Sequence, residues 1–113
     1  MANSYNISID QGSTLNLSLT ATDYNGNYLN FTGFNARGKV KLAYGYTGYI
    51  LDLNPQVDPS YVSGLINISV PATGTLNLPV TLAVYDIEVY NASGYTFKVL
   101  QGYANINPEV TLS

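Results

Sequence analysis

The stretch AVYDIEVYNASGYTFKVLQG, residues 83–102, decides how the chain is read. Strict alternation puts Ala83, Tyr85, Ile87 and Val89 on one side of an extended segment, and Val84, Asp86, Glu88 and Tyr90 on the other. Asn91 to Gly94 carries turn residues, and the chain then returns through Val99, so the stretch predicts an antiparallel hairpin with one buried face. Its two carboxylates, Asp86 and Glu88, stand at i and i+2, roughly 7 Å apart from the strand rise. That separation suits paired-acid glycoside hydrolysis in principle. A chain of 113 residues has little room for the deep cleft such chemistry uses.

A second triplet has the same spacing. In ARGKVKLAY, Arg37, Lys39 and Lys41 share one face, and Ala36, Gly38, Val40 and Leu42 share the other. If the two segments are neighbours in a sheet, Arg37, Lys39 and Lys41 face Asp86 and Glu88 across the ladder. Each opposite-charge pair is then worth about 0.2–1 kcal/mol and helps to fix register. A charged patch for a partner is the other reading of these five residues, and no catalytic residue is expected among them.

Outward from there, alternation persists. SYNISI places Tyr5, Ile7 and Ile9 inward; TLNLSLTA does the same with Leu15, Leu17, Leu19 and Ala21. Asn25-Gly26 favours the positive φ values of a tight hairpin turn, predicting a return strand from Tyr28 to Phe31. Phe31 and Phe34 of FTGF read as core plugs at a corner. YILDL has Tyr49, Leu51 and Leu53 in phase, and LINISV turns Ile66, Ile68 and Val70 inward. PATGTLNLPV is the one place where a short helical turn is expected. Strands at roughly ten-residue spacing predict an all-β fold, an antiparallel immunoglobulin-like β-sandwich of about seven to nine strands, as a single domain over residues 1–113.

Composition narrows the chemistry. With no Cys and no His, disulfides, thiolate or imidazole nucleophiles and the usual zinc and copper ligand sets are absent. Charged residues make up 10% of the chain, far below the roughly one quarter of ordinary domains. Only four cations set against a net charge of -3 argue against nucleic acid as a partner. No run approaches the roughly 20 apolar residues of a membrane span, and MANSYNISID lacks the plan of a secretory signal. Synthesis in a cytoplasm is therefore expected, and the N-x-S/T triplets at Asn6, Asn16, Asn30, Asn67 and Asn91 read as polar alternation rather than glycan acceptors. DYNGN at 23–27 resembles a calcium loop only loosely, so no metal or other cofactor is expected.

Tyrosine is in excess, with 11 residues. Tyr44, Tyr46 and Tyr49 crowd one loop, and Tyr24 and Tyr28 flank a turn. Such side chains give large contact area at low entropic cost and suit a partner-binding surface. Covering sheet edges and stacking on sugars are the alternative uses.

Taken together, IDQGSTLNLSLTATDYNGNYLNFTGFNARGKVK and LPVTLAVYDIEVYNASGYTFKVLQGYANINPEV resemble a family of small tailed-phage virion proteins, among them the amino-terminal immunoglobulin-like domain of upper baseplate proteins. The resemblance covers nearly the whole chain. Matched by position, Gln11, Gly12, Thr32, Gly33, Tyr85, Asp86, Gln101, Gly102, Pro108 and Val110 are its structural signature, and none is catalytic in such relatives. The stretch from Ala43 to Ser63 departs from the pattern and is where an individual partner preference would sit. The resemblance implies a non-enzymatic structural protein of a virion, made in the host bacterial cytoplasm and present in many copies or as a homo-oligomer. A capsid decoration or cement protein bound to the major capsid protein is the favoured expectation. A tail, neck or baseplate accessory protein is the second, and a carbohydrate- or host-binding module the third.

Overall fold

Short alternating runs of Ile, Val and Leu, each closed by Gly, Asn, Asp or Pro, form strands because branched side chains pack on a pleated, half-buried surface. The computed structural model describes residues 3–108 and is built almost entirely of them. In chain order they are β1 (Asn3–Ser4), β2 (Ile7–Asp10), β3 (Leu15–Thr20), β4 (Asn35–Lys41), β5 (Leu51–Asp52), β6 (Gln56–Val57), β7 (Leu65–Val70), β8 (Leu82–Tyr90) and β9 (Thr96–Asn107). The helical turn expected after Pro71 is a single α-turn, α1 (Ala72–Thr75). Fully buried Thr75 ties it down by donating its hydroxyl to Ser13 O at 2.8 Å.

Two sheets result. The larger runs β1-β9-β8-β4-β5 with β2 also on β9, and the smaller runs β3-β7-β6. The β4–β8 register sets Ala36, Gly38 and Val40 against Val89, Ile87 and Tyr85, so the apolar faces coincide and the charged faces turn out together. One cluster of buried side chains takes in both sheets, with Ile66 and Ile68 from the smaller and Ile87, Val40 and Ile106 from the larger. Phe31 joins it at 1% exposure, as expected of a plug, while Phe34 lies partly buried with its ring edge-on to Phe97 at 5.7 Å. The chain changes sheets between β5 and β6 at Asn54-Pro55, where Asn54 takes φ 46° and its N–H is held by the Asp52 carboxylate at 2.9 Å.

Several expectations need correction. Not all pairing is antiparallel: β1 and β2 run parallel to β9 in one unbroken register, Asn3 opposite Leu100 and Asp10 opposite Asn107. Tyr5 does not point inward but is exposed, because the strand breaks at Tyr5-Asn6. Asn25-Gly26 is not a two-residue hairpin turn; Gly26 alone has positive φ, and the loop spans Asp23–Asn27. After it, Tyr28 makes one bridge to Thr22 and no strand follows, since the N–H of Phe31 is taken by Tyr61 O at 2.7 Å. Leu42 and Tyr49 are exposed rather than in phase with the core, because β4 ends at Lys41 and β5 starts only at Leu51. Val110, one of the signature positions, lies outside the described residues.

The Asp23 loop has a twin. Asn91–Tyr95 makes the same bonds: the first residue's N–H goes to the fifth carbonyl, the Gly N–H goes back to the first carbonyl, and the Asn91 side chain accepts from Ser93 and Tyr95 as Asp23 does from Asn25 and Asn27. An Asp or Asn whose side chain mimics a backbone acceptor, followed three residues later by Gly at positive φ, is the local rule for both.

Candidate functional site

The alternation of β4 and β8 delivers their charged residues to the outer face of the larger sheet. Arg37 stands opposite Glu88 and donates its Nε–H to Glu88 Oε1. Its guanidinium lies 4.7 Å from the centre of the Tyr90 ring. Lys39 stands opposite Asp86, but its ammonium turns to Asp52 of β5, 4.0 Å away, beneath the Tyr49 ring at 4.6 Å. Asp86 instead takes Lys98 of β9 at 3.3 Å, and Lys98 lies 5.8 Å from the Tyr44 ring. Lys41 faces Val84 and donates to Tyr46 O at 3.3 Å. Thus three cations each hold a carboxylate and a tyrosine ring. Exposed ion pairs contribute about 0–1 kcal/mol each and exposed cation–π contacts about 0.5–1 kcal/mol, so the set stiffens the face more than it stabilises the fold.

Asp52, Lys98 and Tyr90 were not assigned to this network from the sequence. Lys98 reaches the outer face because β9 carries a bulge after the Glu88–Lys98 pair, with Ile87 facing Leu100 and Val99 inserted between. The sign of that bulge is the adjacent apolar pair Val99-Leu100, both buried, which breaks strict alternation. Around these side chains the surface is an open trough of about 420 Å³ lined by Arg37, Gly38, Lys39, Lys41, Asp86 and Glu88.

The five tyrosines named from sequence are all exposed, yet they do not form one surface. Tyr44, Tyr46 and Tyr49 follow the C-terminal end of β4, whereas Tyr24 and Tyr28 precede its N-terminal end. At the first of these ends, the β8–β9 register adds Tyr103, opposite Val84, and Leu82, both more than half exposed. Tyr44 and Tyr49 are partly committed to Lys98 and Lys39, which leaves Tyr46, Tyr103 and Leu82 as the open part of an aromatic and apolar end.

Beneath that end runs a seam. Tyr85, 1% exposed, donates its hydroxyl hydrogen bond to Tyr5 O on the N-terminal strand, two strands away. The strand between contributes Gly102, Tyr85's own register partner, and a Cβ there would sit 2.2 Å from Tyr5 O. Only glycine leaves this space. Asn6 closes the break by accepting the Tyr103 N–H with its side chain at 3.0 Å, standing in for a ladder carbonyl. From the other side Tyr44 reaches Gly102 O at 3.3 Å. Burial, reinforced by Tyr44 and Tyr5 nearby, pushes the Tyr85 hydroxyl up to about 12.

The remaining loop carboxylates are engaged locally. Asp23 caps its own loop, as above. Asp58 accepts from Asn67 at 3.0 Å and from the Ser60 N–H at 3.1 Å, and these bonds hold its carboxyl below the ordinary range. Among the described residues, no three Asp, Glu, His or Cys side chains gather where a metal ion would be held, and no helix is long and apolar enough to cross a membrane. No protein-family model matches the sequence, and a comparison with curated proteins finds no match.

Proposed function

We propose that this chain is a non-enzymatic structural protein of a tailed-phage virion, acting as a capsid decoration or cement protein, with an immunoglobulin-like arrangement of its two sheets. The strand orders support the fold reading: β3-β7-β6 corresponds to the B-E-D order of such domains, and β9-β8-β4-β5 to G-F-C-C′. The functional reading rests on the resemblance carried by the QG turn, the FTGF corner, the YDIE strand and the LQG seam. The observation that carries it furthest is the aromatic end formed by Tyr46, Tyr103 and Leu82 beside Tyr44. Rigid rings backed by a sheet make adhesive contact at little entropic cost, and a lattice multiplies modest contacts into tight attachment.

Asp86 and Glu88 fit this reading better than they fit an acid pair. They lie on an open face, each held by a cation from a neighbouring strand.

The test is reconstitution. Purified protein added to particles lacking it should attach in a large symmetric number of copies, seen by cryo-electron microscopy. Tyr46→Ala with Tyr103→Ala should abolish attachment, while Tyr24→Ala with Tyr28→Ala at the far end should leave it intact. Copies confined to one end of the particle would assign the protein to the tail, neck or baseplate. Failure to attach to any particle, or tight binding to a glycan through the same tyrosines, would overturn the reading.

A further inference from the structure

The edges of the two sheets are not equally protected. β5 is two residues long and is flanked by Tyr49 and the Lys39–Asp52 pair. β6 is also two residues long and sits between Pro55 and Pro59. The β1–β2 edge is interrupted at Tyr5-Asn6 and ends on Asp10. Short length, proline, charge and a break are the usual ways in which proteins blunt an exposed edge.

β3 has none of them. It is six residues of unbroken strand, LNLSLT, with no charge, no proline and no glycine, and it stands at the end of the smaller sheet with no strand beyond it among the described residues. Its core-facing leucines are unevenly covered: Leu15 and Leu19 are buried, but Leu17, in the middle, is only partly so. Asn16, Ser18 and Thr20 face solvent.

We propose that this edge is a docking site for a second copy of the chain, paired antiparallel with it about a two-fold axis through Leu17. The sequence is self-complementary in that register. Leu17 meets the partner's Leu17 and Leu15 meets the partner's Leu19, while Asn16 meets the partner's Ser18, whose amide and hydroxyl complement each other. Every pair matches apolar with apolar on the core side and uncharged polar with uncharged polar outside. A slip by one residue would set leucines against Asn and Ser and lose that match. The interface is isologous, so each contact off the axis occurs twice. It joins two three-stranded sheets into one of six strands and covers the exposed part of Leu17. Leu82 and Tyr103 belong to the larger sheet, away from β3, so the pairing does not depend on the attachment surface proposed above.

Sedimentation velocity of the full chain tests this. A dimer should form below about 1 mM. Asn16→Lys/Ser18→Lys places like charges opposite each other twice across the axis and should weaken the dimer by more than about tenfold. Asn16→Asp/Ser18→Asp should do the same. Mixing the two variants should restore a dimer made of one copy of each, because position 16 of one then faces position 18 of the other with opposite charge. Circular dichroism on each variant monitors folding, since both positions lie on the exposed face. A wild-type chain that stays monomeric throughout, an oligomer indifferent to both variants, or two variants that fail to pair when mixed would each overturn the proposal. So would slow hydrogen exchange, in dilute monomer, at the β3 amides that point away from β7, because the chain would then be covering its own edge.

Discussion

Gly102→Ala is the most informative single change in this protein. The added methyl would lie 2.2 Å from Tyr5 O, 2.8 Å from Tyr5 C and 3.0 Å from Asn6 Oδ1. Two of these neighbours are backbone atoms that no rotamer change can move. The N-terminal strand must lift, and two bonds that cross the seam are lost: the Tyr85 hydroxyl to Tyr5 O and the Tyr103 N–H to Asn6. Leaving the buried Tyr85 hydroxyl without an acceptor costs about 1–3 kcal/mol, and the lost amide bond about 0.5–1.5 kcal/mol. Restricting the unfolded chain returns about 0.4–1 kcal/mol. A net loss of about 0.5–4 kcal/mol follows, at its upper end a large part of the 5–15 kcal/mol that holds most domains together. Urea unfolding followed by tyrosine fluorescence measures it. Tyr85→Phe removes the same hydroxyl bond, so the double variant should be less destabilised than the sum of the singles by about 1 kcal/mol. A Gly102→Ala chain within about 0.5 kcal/mol of wild type, or strict additivity in the cycle, would refute the seam as described.

Three more outcomes are expected. Because the Tyr85 hydroxyl is raised to about 12, the folded state keeps its proton where the unfolded state, at about 10, loses it. Stability should therefore fall by about 2–3 kcal/mol as the pH rises from below 10 to above 12, and Tyr85→Phe, less stable at neutral pH, should lack that part of the alkaline loss in pH-dependent urea titrations. Gly26→Ala and Gly94→Ala, at φ 83° and 85° with nothing near the added methyl, should each cost about 1–2 kcal/mol through backbone strain alone, read as matched drops in thermal midpoint. Asp86→Asn with Glu88→Gln should cost about 0–2 kcal/mol in chemical unfolding; a hydrolase activity present in the wild type and lost in this variant would defeat the reading of that face.

Alternation carried most of the fold. Because side chains on a strand repeat every two residues, Ile87, Val40, Ile66 and their neighbours could be assigned to the core, and the outward set Arg37, Lys39, Asp86 and Glu88 came with them. What alternation does not encode is the residue that steps out of phase. The bulge at Val99 delivers Lys98 to Asp86, and so the carboxylate opposite Lys39 has another partner. Nor does a local pattern report the direction of distant strands, which is why the parallel seating of β1 and β2 on β9 was missed. The tyrosines show a third limit. Tyr44 and Tyr24 look alike in sequence, but one lies over a lysine at one end of β4 and the other is 82% exposed at the opposite end.

The parallel register of β2 with β9 also determines how the protein bears load. The N-terminal strand enters near Leu100 and runs beside β9 to Asn107, so the described ends leave along one axis in opposite directions. Tension applied through them slides the two strands past each other, and every bond of the ladder, with the Tyr85 clasp on Tyr5, resists at once instead of opening one after another. A subunit anchored by its ends would be mechanically stiff along that line, whatever its equilibrium stability.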